Sequence, residues 1–142
     1  MSDPSLAMHK AIRDALAASS ALETAMGGDL NIFDSVPAEP PYPFVRVGED
    51  QALGADNSCF EGWEYFHTLH IFARPMGGLG ANPVAKRLAG PIKAALLAIE
   101  GTVHGDYLID EVEWEGGRFF MDADGVTAHG VLTVRVLVTL AL

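Results

Sequence analysis

Residues 128–140 carry a period of two, with Leu132, Val134, Val136, Val138 and Leu140 pointing one way and Thr133, Arg135 and Thr139 the other. A period of two sustained over that distance is a β-strand, and its apolar face has to be covered by another layer. Residues 63–74 form a second strand. Tyr65, His67, Leu69 and Ile71 share one face, Phe66, Thr68, His70 and Phe72 the other, and apolar groups on both faces place this strand inside a sheet.

Two helical stripes supply the covering layer. Asp3-Pro4 has the pattern of an N-cap followed by proline at the first helical position, and Met8, Ile12, Ala15 and Leu16 then recur at helical spacing. Ser20 and Glu23 have capping-box spacing for a short second helix, which Gly27-Gly28 stops. Asn82-Pro83 repeats the cap-and-proline signal ahead of Val84, Leu88, Ile92, Ala95, Leu96 and Ile99, and Gly101 closes this helix. Gly90-Pro91 lies inside it and is expected to kink or split it.

Between these elements, residues 29–43 are rich in proline and turn residues, with at most a short strand at Ile32-Phe33, and residues 44–48 alternate like a strand. Residues 49–62 are polar and acidic with two glycines and read as a mobile loop. Further on come a strand over 103–115, a turn at Gly116-Gly117, a strand over 118–121 and a turn at Asp124-Gly125. Many hairpin signals and few crossovers give an α+β fold, a mainly antiparallel twisted sheet packed against an N-terminal and a central helix, as one domain over residues 1–142.

Charge narrows the function classes. Nine basic residues against 19 acidic ones leave a net charge of −10, and three lysines (Lys10, Lys86, Lys93) do not make the basic stripe that grips phosphates. The acids concentrate in two surfaces, Glu49, Asp50, Asp56, Glu61 and Glu64 in one and residues 106–124 in the other. The single cysteine, Cys59, excludes an intramolecular disulfide and reads as a small hydrophobe. With no basic start before an apolar run and no long uncharged span, a soluble, intracellular chain is expected.

No catalytic motif emerges. His67 and His70 lie three apart on a strand, so their rings face opposite ways and do not share an ion. Asp122-Ala123-Asp124-Gly125 lacks the later ligands of a calcium loop and reads as a hairpin turn. Gly77-Gly78-Leu79-Gly80 precedes a helix but lacks the ending of a phosphate loop. Glu111 and Glu113 share a strand face and read as a solvated edge. The expectation is no enzyme, no metal and no cofactor.

One ordered set of features is more specific. The leading helix is followed by Phe33-Asp34-Ser35-Val36-Pro37, by Pro43-Phe44-Val45-Arg46-Val47-Gly48-Glu49 and by the strand His67-Thr68-Leu69-His70-Ile71-Phe72-Ala73-Arg74. A glycine-rich turn, an alanine-rich helix and Asp122-Ala123-Asp124-Gly125-Val126-Thr127-Ala128-His129-Gly130 come before the closing strand. Over nearly the whole chain this resembles the tail-completion or tail-terminator proteins of long-tailed phages and gene transfer agents; the segment 37–43 is fuller in proline than that pattern.

The resemblance implies a structural virion protein at the head–tail junction, assembled in the bacterial cytoplasm. It implies a hexameric ring on the last layer of the tail tube, contacting the major tail-tube protein and a head-completion or stopper protein. DNA would pass through the lumen without sequence-specific binding, and no membrane is involved. A head–tail adaptor or stopper is the nearest alternative, and a small ligand- or metal-binding enzyme a more distant one. A closed ring needs two different complementary patches on each subunit. Candidates for subunit or tail-tube contact are Glu49, Asp50, Asp56 and Glu61 in the acidic loop, with Arg118, Phe119 and Phe120 in a hairpin around Gly116. Trp63 and Trp114 complete the set as candidate anchors. Phe119→Asp is expected to abolish assembly and leave the monomer folded.

Overall fold

The structure is a computed structural model that describes residues 3–55 and 61–141. Its order is α1 (Ser5–Ala17), α2 (Ser20–Ala25), β1 (Ile32–Phe33), β2 (Phe44–Gly54), β3 (Gly62–Ala73), α3 (Ala81–Leu97), β4 (Val103–His104), β5 (Tyr107–Met121) and β6 (Ala128–Leu140). The six strands form one sheet in the order β1-β2-β3-β6-β5-β4. Among the described residues only the β1–β2 pair is parallel. The α+β architecture read from the sequence is therefore the one the chain adopts.

The two strands with the strongest alternation lie at the centre and pair without a register shift from Gly62↔Thr139 to Ala73↔Ala128. Their shared apolar face, with Tyr65, Leu69, Ile71, Leu132, Val134, Val136 and Val138, packs under the helices. Met8, Ile12 and Leu16 of α1, Leu22 of α2 and Leu88, Ile92 and Leu96 of α3 close over it. Every residue in that stripe is removed from water, at about 1.5–3 kcal/mol for each large apolar side chain. Among the described residues no helix covers the opposite face of the sheet.

Local signals hold with small shifts. The Asp3 carboxylate accepts from Ser5 N–H at 2.8 Å, although Pro4 is the residue flanking the helix. Ser19, not Ser20, caps α2, its hydroxyl accepting from Leu22 N–H at 3.1 Å. Gly27 and Gly28 stop it with φ of +93° and +113°, where other residues are strained. At α3 the cap is Gly80, so Pro83 falls in the first turn, where the missing N–H has no helical acceptor anyway.

Three expectations are corrected. The stretch 49–62 is not a loop throughout: β2 runs on to Gly54 and pairs with β3 from Asp50↔His67 to Gly54↔Trp63. A bulge between Val47 and Asp50 absorbs the break in alternation that hid this strand. Residues 56–60 of the same stretch lie outside the described residues. Gly90-Pro91 does not split α3, which is assigned as helix from Ala81 through Leu97. Proline removes only one intrahelical donor, and burial of Leu88, Ile92 and Leu96 on either side keeps both halves packed as helix.

The third correction is at Gly116-Gly117, which is not a turn but lies within a continuous β5. A second bulge sits between Trp114 and Gly116, and Gly116 has φ +135°. A Cβ on Gly117 would stand 2.7 Å from Leu132 Cδ2, so this glycine lets the neighbouring strand come close. The reversal falls earlier, at Gly105 (φ +60°), where β4 turns into β5. Among the described residues no helix is long and apolar enough to cross a membrane.

Candidate assembly surface

On the face of the sheet away from the helices the rows follow from the strand register. At one end Leu53, Glu64, Leu137 and Glu111 align across β2, β3, β6 and β5, and the next row holds Gln51, Phe66, Arg135 and Glu113. Arg135 joins the two acidic segments of the sequence here: its Nε donates to Glu64 Oε2 at 2.5 Å and its Nη1 to Glu113 Oε2 at 3.1 Å. The Glu64 hydrogen bond holds the guanidinium pKa above its usual value.

At the other end the row is Phe44, Phe72, His129 and Phe120, and the adjoining row Arg46, His70, Val131 and Arg118. Ring centroids step across the aromatic row at 5.0, 4.3 and 4.9 Å. Arg118 lies over Phe120 at 5.4 Å, and Arg74 over Tyr42 at 4.1 Å beside the row. One face thus carries an end with three glutamates, two of them bonded to Arg135, and an aromatic end with Arg46, Arg74 and Arg118 beside Glu49 and Asp122. Between them Phe66, Gly116, Gly117, Arg118, Val131 and Thr133 line an open groove of about 580 Å³.

Two histidine networks sit on opposite faces, as the spacing of His67 and His70 requires. On the open face the His70 Nε2–H donates to Glu49 Oε1 at 2.5 Å. On its other side His70 Nδ1 shares a hydrogen bond of 2.8 Å with His129 Nε2. His129 Nδ1 stands 3.6 Å from Asp122. The His70 hydrogen bond pulls the Glu49 carboxyl below its usual pKa, while burial and then neighbouring His70 lower that of His129. Gly48 makes room for this network, since a Cβ there would meet His70 Cδ2 and the Thr68 carbonyl oxygen, both at 2.7 Å.

Under the helices, Tyr65 donates its hydroxyl proton to Asp50 and lies 2.9 Å from His67 Nδ1. His67 is fully buried, and burial pulls its pKa down to about 4, so it is neutral. Burial, followed by the bond to Asp50, pushes the Tyr65 phenol up. His9 on α1 faces His67 with ring centroids 5.8 Å apart and binds Asp34 through Nε2 at 2.7 Å. Arg13 Nε lies 3.2 Å from the other Asp34 oxygen.

The residues singled out from sequence divide between the two faces. Glu49 is exposed in the His70 network, Arg118 lines the groove, and Phe120 is 38% exposed beside His129. Asp50 is held by Tyr65, Glu61 flanks the start of β3, and Asp56 lies outside the described residues. Trp63 belongs to the core, edge-on to Tyr107 at 5.5 Å. Trp114 and Phe119 are half-buried against that core, with Lys93 and Lys86 of α3 each 6.0 Å from their rings. Phe119 also covers Gly130, whose added Cβ would stand 2.9 Å from its Cε1. Phe119→Asp would therefore put a carboxylate into the packing of the monomer, and Phe120 is the residue on which assembly is better tested.

Sequence reading missed the aromatic row, because its members come from β2, β3, β5 and β6 and meet only through the register. It also missed an apolar rim at Leu6 and Val103, 68% and 56% exposed, on a groove shared by α1 and the β4–β5 turn.

Residues 10–139 match the family described as Tail completion protein gp17. The chain belongs to this family. Its architecture is also similar to a chain in a solved structure titled "Virion of native gene transfer agent (GTA) particle", with a TM-score of 0.80 at 18% identity, over 98% of this chain and 99% of that one. A search of curated proteins finds no match. The family is one of structural virion proteins of the tail.

Proposed function

We propose that this tail completion protein acts as one domain that closes into a hexameric ring, ends the tail tube and joins the tail to the head of a phage or gene transfer agent. Family membership supports a role in the virion tail. The observation that carries the ring is the unlike make-up of the two ends of one sheet face, one with Glu64, Glu111 and Glu113 around the single guanidinium of Arg135, the other with Arg46, Arg118 and Phe120 beside Glu49 and Asp122. A heterologous interface that closes on itself needs two such unlike, complementary patches on each copy. The remaining acidic surface would face DNA in the lumen and let it slide. Assembly takes place in the bacterial cytoplasm, and the finished ring sits at the head–tail junction.

Native mass spectrometry over a concentration series, with negative-stain imaging, tests this reading. The expected species is an open ring of roughly 90 kDa, six chains of 15.1 kDa. A compact dimer would overturn it. If the free protein is monomeric, the ring should form on purified tail tubes. Capture of the tail-tube subunit supports a terminator, whereas capture of portal-side proteins alone makes the chain an adaptor or stopper instead.

A further inference from the structure

We propose that His9, Asp50 and His67 form a binding site for a divalent transition-metal cation of the zinc class, pinning α1 to the β2–β3 hairpin. One ring nitrogen from each histidine and a carboxylate oxygen of Asp50 lie within 4.8 Å of one another, and Asp50 Oδ2 is 3.9 Å from His67 Nδ1, so coordination at the other His67 nitrogen has the Asp50 carboxylate turn toward it. Three elements distant in sequence supply them: α1, β2 and β3.

The hydrogen bonds around the cluster prepare its donor atoms. Because the Tyr65 hydroxyl gives its proton to Asp50, it can only accept from His67, which fixes the His67 proton on Nδ1. The other nitrogen, Nε2, is then a bare lone pair, and it is fully buried with no hydrogen-bond partner. An orphaned buried acceptor costs on the order of 1–3 kcal/mol, which a cation at Nε2 would relieve. His9 is prepared in the mirror sense: Asp34 holds Nε2 at 2.7 Å, leaving Nδ1 for the cation.

In both histidines one nitrogen is thus anchored by an oxygen partner while the other is left to coordinate. That is the outer-shell arrangement that fixes ring orientation at metal sites. Two imidazoles and one carboxylate suit zinc, cobalt or nickel better than magnesium or calcium, which take oxygen ligands. Ligand atoms around tetrahedral zinc stand about 3.3 Å apart. The cluster therefore has to draw in by about an ångström or somewhat more. His9, whose side chain is 29% exposed on a surface helix, is the member with room to move.

The test is titration of the purified full-length protein with Co²⁺, followed by visible absorption, and with Zn²⁺, followed by calorimetry and thermal unfolding. The expected results are one ion per chain, ligand-field bands from Co²⁺, and a higher Tm with Zn²⁺. His9→Ala and Asp50→Asn should each weaken binding at least about 10-fold, while His129→Gln leaves it unchanged. Far-UV circular dichroism checks that the variants are folded, and one folded variant of the first two suffices. Absence of saturable binding would overturn the proposal, as would equal affinity in the folded His9→Ala or Asp50→Asn variant.

Discussion

Space and protonation at single residues govern the open face of the sheet. Gly48 does not need a left-handed backbone; it needs to have no side chain, because the Thr68 carbonyl oxygen beside it is backbone and cannot rotate away. Gly48→Ala should therefore destabilise the protein by about 1–3 kcal/mol, measured by urea unfolding. His129 carries a pH dependence whose sign follows from its depressed pKa. Burial, His70, Arg46 and Arg118 oppose its protonation in the folded chain, Asp122 favours it, and Glu49 lies one residue further along the network. The unfolded chain takes up the proton near the ordinary histidine value of 6.5. The stability contribution is thus complete above that value and is lost as pH falls below it toward the depressed pKa. His129→Gln should flatten the decline of Tm between pH 7 and 5 by removing this contribution; an unchanged slope would assign the decline to the carboxylates.

At the scale of elements, what was legible in the sequence follows the length of the pattern. β3, β6, α1 and α3 could be read because each repeats its period over several turns or pleats and buries the resulting stripe. The second half of β2 could not, because one bulged residue inverts the alternation after Val47, and the acidic residues beyond it have the composition of a loop. Gly116-Gly117 misled for a related reason, since paired glycines serve equally for a reversal and for a bulge with a close neighbour. The interface candidates were legible as residue types but not as faces: adjacent Phe119 and Phe120 point to opposite sides of β5. Phe119→Ala should cost the monomer several degrees of Tm, whereas Phe120→Asp should leave the fold intact and prevent assembly, as read by circular dichroism and native mass spectrometry. The β5–β6 turn was read correctly, and Asp124 holds it. Its carboxylate accepts from the backbone N–H groups of Thr127 and Val126 and from the Thr127 hydroxyl, which together lower its pKa to about 2. Asp124→Ala is expected to lower Tm at neutral pH, with the difference from the parent closing as pH falls from about 4 toward 2.

The whole molecule must meet copies of itself, neighbouring virion proteins and a passing polyanion with one set of charges. Its net charge of −10 opposes retention of DNA, yet Arg46, Arg74 and Arg118 gather at the aromatic end of the open face, where an isolated subunit could still touch phosphate. In the proposed ring that end is covered by the acidic end of the next copy, so assembly itself removes the basic surface from the lumen. Arg118→Glu sets like charges against Glu64, Glu111 and Glu113 of the neighbour and should shift the native mass spectrum toward monomer, an effect that added salt reduces by screening. The assembled parent should not retard duplex DNA in a gel at physiological ionic strength. Retardation by assembled rings that disappears in Arg118→Glu would instead place the basic end toward the lumen, and the ring would have to be rebuilt with its acidic end outward.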